Sequence, residues 1–286
     1  MTGTLAPTAN PTRAAQSIAA RFMLAGGGIL LVLAIAAIAA PLIAPHDPEA
    51  MDVKEVLGAP SWVHPFGSDV LGRDVLTRVI SGLRASLLVS ISAVAASLAL
   101  AVPLGLASGY FGRWLDGAIS RTLDMILVLP AMLLAITFIA ILGPGSAIAA
   151  IAIAVIYLPI LARVMRTSTL IVTRHEYVAG ARARGASHLR VIVTHVAPNA
   201  LGPVIVQASI LSAFALQLEA GLSFLGLGTQ PPTPSLGGML ADGRDVLGQA
   251  PWVEIFPGLA IVAAVIAFSL LGEGLRRTLD PDGAAE

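Results

Sequence analysis

The sequence predicts an all-α integral membrane protein with six transmembrane helices and both termini in the cytoplasm. Three observations carry that reading. The 286 residues are 56% hydrophobic and 12% charged, with a mean hydropathy of +0.86, against roughly 45–50% apolar and about 25% charged in an ordinary soluble domain. Six uncharged runs come close to the length, about 20 residues, that a helix needs to cross about 30 Å of hydrocarbon. Basic residues gather on alternate sides of those runs.

The runs, taken in order, differ in texture. The first, 22–44, follows Arg13 and Arg21 and ends in small residues, so a secretory signal is the competing reading. Its 23 uncharged residues exceed the about 7–15 of a signal's apolar region. The second, 85–109, contains 93-AVAASLALAVPLGLASG-109, and the fourth, 146–162, contains 147-AIAAIAIAV-155. Such small side chains let helix backbones approach closely, the usual packing device in lipid. The third covers 125–142, the fifth 200–218 and the sixth 255–272; the fourth, at 17 residues, is at the lower edge of spanning lengths. Pro103, Pro130, Pro159, Pro203 and Pro257 lie within the runs. A bundle tolerates them because neighbouring helices and Ser/Thr hydroxyls satisfy the freed carbonyls.

Orientation follows from the loops. With the N-terminus inside, twelve basic residues fall on the inner side and five, namely Lys54, Arg73, Arg78, Arg84 and Arg244, on the outer side. The positive-inside rule favours this orientation. Most acids lie outside, so the 17 basic and 17 acidic residues cancel in sum but not in space.

Several function classes are excluded. With no Cys there is no disulfide framework, thiolate zinc site or Cys nucleophile. A balanced charge gives no sign of a nucleic-acid partner. The phosphate-binding pattern G-x-x-x-x-G-K-[ST] is absent, because the only Lys stands in 52-DVKEVLG-58; the chain itself is read as neither an enzyme nor a cofactor binder. The stretch 175-HEYVA-179 lacks the second His of a zinc-protease helix. The five His (46, 64, 175, 188 and 195) are assigned to loops without ligand spacing, and no metal site is expected. Asp124 and Glu219 touch the runs, and both sit at their ends. An ion-coupled carrier would place such groups nearer the midplane, which disfavours an autonomous secondary transporter.

The longest inner loop, 163–199, is Arg-rich yet helical in pattern: 175-HEYVAGARARGASHLRVIVTHVAPN-199. Gly185 allows a sharp turn between two short helices, and Pro198 is expected to end the second. Physically the loop is either an amphipathic element on anionic headgroups or a docking element for a cytoplasmic partner.

This loop resembles the coupling loop of permease subunits of binding-protein-dependent ABC importers, whose pattern is E-A-A, three residues, Gly, nine residues, then I-x-L-P. Ala179, Gly180 and Ala181 occupy the first place, Gly185 (followed by Ala186) the second, and His195-Val196-Ala197-Pro198 the last; the Glu stands instead at 176. Four further stretches, 66-FGSDVLGRDVLTRVISGLRASL-87, 121-RTLDMILVLPAMLLAI-136, 219-EAGLSFLGLGTQPPTPSLGGML-240 and 267-AFSLLGEGLRRTLDP-281, are similar to the C-type permeases of the dipeptide/oligopeptide/nickel branch. Departures are Leu236 for a common Trp, Ser269 for Asn and Glu273 for Asp.

The resemblance implies the type I importer permease fold in the cytoplasmic membrane of a bacterium or archaeon. It also implies a second homologous permease, two ATPase subunits that bind ATP and Mg, and an extracytoplasmic binding protein. Di- or oligopeptide is the implied cargo, with nickel chelate or haem as alternatives. Glu176, Ala179, Gly180, Ala181, Gly185, Ala186 and Pro198 would form the ATPase-coupling loop, and Glu219, Gln207 and Ser223 are candidates for the translocation path. Asp69, Asp74, Arg73, Arg78 and Arg84 in 66–87 either form ion pairs and caps that fix the outer segment or touch substrate. The Gly- and Pro-rich 219–240 cannot be one helix and would fold into the outer mouth or onto the partner. Asp124 is read as a helix-start cap or a gating residue, and Arg276 and Arg277 as headgroup anchors. The expected divisions are an N-terminal tail at 1–21, a first helix and outer segment at 22–84, a core permease domain at 85–275 with its loop at 163–199, and a tail at 276–286.

Overall fold

In the computed structural model, which describes residues 11–44 and 46–279, the regular elements are helical, apart from one isolated bridge between Ser68 and Asp74. The order is α1 (Pro11–Ile38), a short α2 (Ala40–Ile43), a 3-10 turn (Val53–Glu55), α3 (Val75–Phe111), α4 (Arg113–Leu127), α5 (Ala131–Leu142), α6 (Ser146–Val172), α7 (Glu176–Ala183), α8 (His188–Val191), a π turn (Ile192–Val196), α9 (Ala197–Phe224), α10 (Leu236–Arg244) and α11 (Trp252–Leu279). Five of these stretches are long and apolar enough to cross a membrane, and the α4–α5 pair makes six if counted as one span.

The helices outrun the uncharged runs. α3 starts at Val75, where the Asp74 carboxylate accepts the Thr77 N–H and caps the first turn. It passes through Arg78 and Arg84 and across the expected 84/85 division without a break. α6 continues past Arg163 and Arg166 to Val172. A charged residue ends an uncharged run but not a helix, since Arg is a good helix former. For the same reason α1 takes in residues 11–21, expected as tail, and α11 takes in Arg276 and Arg277. Residues 1–10 and 280–286, the remainder of the two expected tails, and with them Asp280 and Pro281 of the last motif, lie outside the described residues.

Two expectations are corrected by proline. The third run is not one straight span: α4 and α5 meet at 88°. Pro130, at φ −56° and ψ 132°, stands between them, and a residue preceding proline is pushed out of the helical region. Pro198 does not end the coupling-loop helix. It lies within a helix that runs on from His188 to Phe224, just after the π turn Ile192–Val196, the kind of local adjustment that accommodates a proline's missing N–H.

The bundle is centred on α3, α6 and α9. Ala93, Ala101, Ala149, Ile153, Leu161, Met165, Ala200, Val204 and Leu211 form its main core, and a second cluster joins Val75, Val79, Leu83 and Leu87 to Leu216, Leu236, Met239, Val253 and Phe268. α3 and α6 come together at Gly105 and Gly109. A Cβ at Gly105 would lie 2.7 Å from the Ala162 carbonyl oxygen, and one at Gly109 would lie 2.7 Å from that of Arg166. The two helices therefore touch backbone to backbone.

Gly105→Ala is expected to destabilise the purified chain by about 1–3 kcal/mol through overpacking, read as a lower thermal midpoint in detergent. Gly117→Ala in α4, where an added Cβ meets nothing within 4 Å, should be neutral or stabilising by up to about 1 kcal/mol.

Candidate functional site

Polar side chains collect at the two ends of α3. Its 37 residues separate those ends by about 55 Å at 1.5 Å per residue; the end where α3 begins is called upper here, and the other lower.

At the upper end the segment 46–74 closes over the start of α3. Asp69 is its centre. One carboxylate oxygen accepts the N–H groups of Leu71 (2.8 Å) and Arg73 (3.0 Å), and the other meets Arg73 Nε at 2.7 Å and Arg78 Nε at 3.3 Å. Arg73 reaches on to Asp242 of α10 at 3.5 Å, and Arg78 donates to the Pro48 carbonyl at 3.1 Å. Asp69, Arg73 and Arg78 are all buried. Burial raises the Asp242 carboxyl, while Arg73 and Arg78 pull it back down. The segment is further fixed by Trp252 Nε1, which donates to the Ser68 carbonyl, and by Phe66 stacked on Phe256 at 3.9 Å. On the far side of the α3 start, Asp74 adds to its cap a contact with His64 Nδ1 at 2.9 Å, with His46 Nδ1 3.9 Å from its other oxygen. Asp69, Arg73, Asp74 and Arg78 thus serve as pairs and caps, while Arg84 is exposed.

Between the ends, α9 carries Glu219. It has no exposed surface, and one carboxylate oxygen accepts the Ser223 hydroxyl at 2.7 Å. Ser223 also accepts the Thr229 N–H and lines a cavity of about 340 Å³ with Arg73, Arg78, Gln230 and Asp242. Of the three path candidates, Ser223 lines this cavity, Glu219 sits one hydrogen bond behind it, and Gln207 is half-buried in the middle of α9. The stretch 225–235, which carries Gly226, Gly228, Pro231, Pro232 and Pro234, is non-helical and forms one wall.

At the lower end, α7 and α8 are joined by a tight turn. Gly185 has φ +83°, its N–H bonds the Arg182 carbonyl, and the Ala186 N–H bonds that of Ala181. These two bonds make a Schellman motif, which glycine enters without a Cβ penalty. Ser187 then caps α8 through the Arg190 N–H. Val178, Ala181, Val191 and Val196 anchor the loop in the core, while Glu176, Tyr177, Ala179, Leu189 and Val193 are exposed. The loop is tied to the lower end of α3: Tyr110 OH lies 3.0 Å from His188 Nδ1, and the Arg182 guanidinium stands over the Tyr110 ring at 4.6 Å. Beside it Arg166 grips Asp116 with two contacts of 2.5 Å. Asp124 is not a helix-start cap. It lies in the last turn of α4 and pairs with Arg163 of α6 at 2.7 Å.

Two features escaped the sequence reading. His188 and His195 lie in helical turns, not in loops. His46, His64 and Asp74 converge although 18 and 10 residues separate them along the chain; no local spacing rule signals that, and only closure of the outer segment creates it.

The family described as binding-protein-dependent transport system inner membrane component matches residues 101–282, and that described as the N-terminal TM domain of oligopeptide transport permease C matches residues 20–60. The chain is 43% identical over 263 residues to the di/tripeptide transport system permease protein DppC of Pseudomonas aeruginosa, covering 89% of this chain and 87% of that one. It is 41% identical over 256 residues to the dipeptide transport system permease protein DppC of Alkalihalophilus pseudofirmus, covering 89% and 84%. Its fold is similar to chains in an inward-facing structure of the MetNI methionine ABC transporter (TM-score 0.58, 18% identity, 72% of this chain and 96% of that one) and in a structure of an amino acid ABC transporter with histidines (0.56, 18%, 71% and 94%).

Removing Asp69 leaves two buried guanidiniums without their shared anion. Asp69→Ala is expected to cost about 3–5 kcal/mol, seen as a large fall in the thermal midpoint. Asp245→Ala, which breaks an exposed pair with Arg244, should leave the thermal midpoint close to that of the unaltered chain.

Proposed function

The chain belongs to the family of inner membrane components of binding-protein-dependent transport systems, and on that premise we propose that it forms, with a second homologous permease, the path by which di- or oligopeptides enter the cell. Two ATPase subunits, which bind the ATP and Mg that this chain has no phosphate loop to hold, supply the energy. An extracytoplasmic binding protein delivers the peptide to the upper end. The names of the relatives support the peptide cargo, and the excess of basic residues on the lower side supports a cytoplasmic position for α7 and α8.

The observation that carries the mechanism is the mechanical continuity from the lower loop to the upper cavity. α7, α8 and the π turn that follows present exposed Tyr177, Leu189 and Val193 to a partner while their buried residues sit in the core. The loop grips the end of α3 through Tyr110, and α3 runs unbroken to the Asp74 cap. A displacement of the loop by closing ATPases is therefore delivered to the upper cavity by a rigid helix, the rigid-body kind of coupling that packed elements support. Gly185 sets the angle between α7 and α8, and Glu176, Ala179, Gly180, Ala181 and Ala186 shape the docking face. Ser223, with Glu219 behind it, and Gln207 contribute polar groups to the path.

Gly185→Leu places a branched side chain at φ +83°, which costs about 1–2 kcal/mol locally and distorts the turn. Peptide uptake should be abolished, with the ATPases either lost from the purified complex or hydrolysing ATP uncoupled from transport. Normal uptake with normal assembly would overturn this role. Transport by the purified chain without ATPase subunits would overturn the importer reading itself.

A further inference from the structure

We propose that His46, His64 and Asp74 form a binding site for a divalent transition-metal ion of the zinc class at the upper end of the protein. The reading does not depend on the peptide cargo.

The donors already converge. One ligand atom from each residue lies within 4.8 Å of the other two. His64 Nδ1 is 2.9 Å from one oxygen of Asp74, and His46 Nδ1 is 3.9 Å from the other. Ligands at about 2.0–2.1 Å from a tetrahedral zinc ion stand about 3.3 Å apart, so the observed separations straddle the required one. Those two distances run to different Asp74 oxygens, and the set as a whole, within 4.8 Å, contracts by at most about 1.5 Å to form a first shell.

His46 supplies the second argument. Its Nδ1 is buried and makes no hydrogen bond among the described residues, although the ring is held beside that of His64 with centroids 4.8 Å apart. At 3.9 Å the nitrogen is too far from Asp74 for a hydrogen bond. A buried nitrogen without a partner costs about 1–3 kcal/mol. Metal ligation satisfies that lone pair and the Asp74 carboxylate together.

The donor set selects the ion. Two imidazoles and one carboxylate suit zinc and its neighbours, whereas calcium and magnesium call for oxygen donors. Asp74 is oriented by the Thr77 N–H at 2.8 Å, the kind of outer contact that fixes a ligating carboxylate. Access is from a cavity of about 550 Å³ that His46 lines together with Asp47, Glu49 and Arg84; its acids outnumber its base and draw cations in. The fourth coordination position falls to water. Once bound, the ion ties residue 46, residue 64 and the first turn of α3 into one unit.

The test uses the full chain in detergent, purified without a polyhistidine tag, loaded with zinc and then dialysed against metal-free buffer. Stoichiometric zinc is expected by elemental analysis, with a zinc-edge absorption spectrum that shows two imidazole ligands. His46→Ala should weaken zinc affinity by about 100-fold or more in competition with a fluorescent chelator. Zinc should also shield His46 and His64 of the unaltered protein from acylation by diethyl pyrocarbonate, mapped by mass spectrometry, while exposed His175 stays reactive. Absent or substoichiometric zinc, equal affinity in a folded His46→Ala variant, or equal acylation with and without zinc would each overturn the proposal.

Discussion

The contact of α3 with α6 at Gly105 and Gly109 is the constraint on which the rest of the protein depends. Lipid offers no hydrophobic drive for helices to associate, so close dispersion contact must supply it, and here it is supplied where side chains are missing. With that contact made, α3 becomes a stiff strut of 37 residues. Everything of chemical interest is attached to its ends. The outer segment, α10 and the cavity walled by 225–235 hang on its first turns, and the α7–α8 loop is fastened to its last.

The two ends are held by different physics. At the upper end the fastening is ionic and buried: one aspartate organises two arginines, and more than half of the chain's length later Asp242 completes the group. Such a cluster tolerates little movement, because separating its members strands a charge away from water. At the lower end the half-buried Arg166–Asp116 pair holds α4 on α6, but the α7–α8 loop itself is fastened by a phenol, an imidazole and a guanidinium near solvent, contacts that can slide and re-form at small cost. A strut with one clamped and one adaptable end fits the transmission of motion proposed above.

What the sequence revealed and what it hid divide along the same physical line. Apolar runs report burial in lipid, so five of the six expected spans were legible as single helices, as was the break in 219–240 that proline and glycine impose; for the Asp and Arg residues of 66–87 the sequence left pairing and substrate contact both open. The turn at Gly185 was legible because the conformation demands that residue. Helix ends were not, since Arg78, Arg84, Arg163 and Arg166 interrupt hydropathy without interrupting the backbone. The bend at Pro130 could not be told from Pro103, Pro159 or Pro203, which lie inside helices, because all four stand in apolar runs. The partnerships of Asp124 with Arg163 and of Asp74 with His46 and His64 join residues distant along the chain, and only the folded path brings them together.

The turn between α7 and α8 has a consequence for how such a chain can diverge. Its geometry is written in two main-chain hydrogen bonds and one glycine, and no side chain of the docking face takes part. Shape and chemical identity are thereby decoupled, as in a plug whose casing is standard while its pins vary. On the docking role proposed for this loop, the exposed Glu176, one turn before the first motif position, takes no part in the turn, so the charge of that face can vary while the angle between α7 and α8 stays the same.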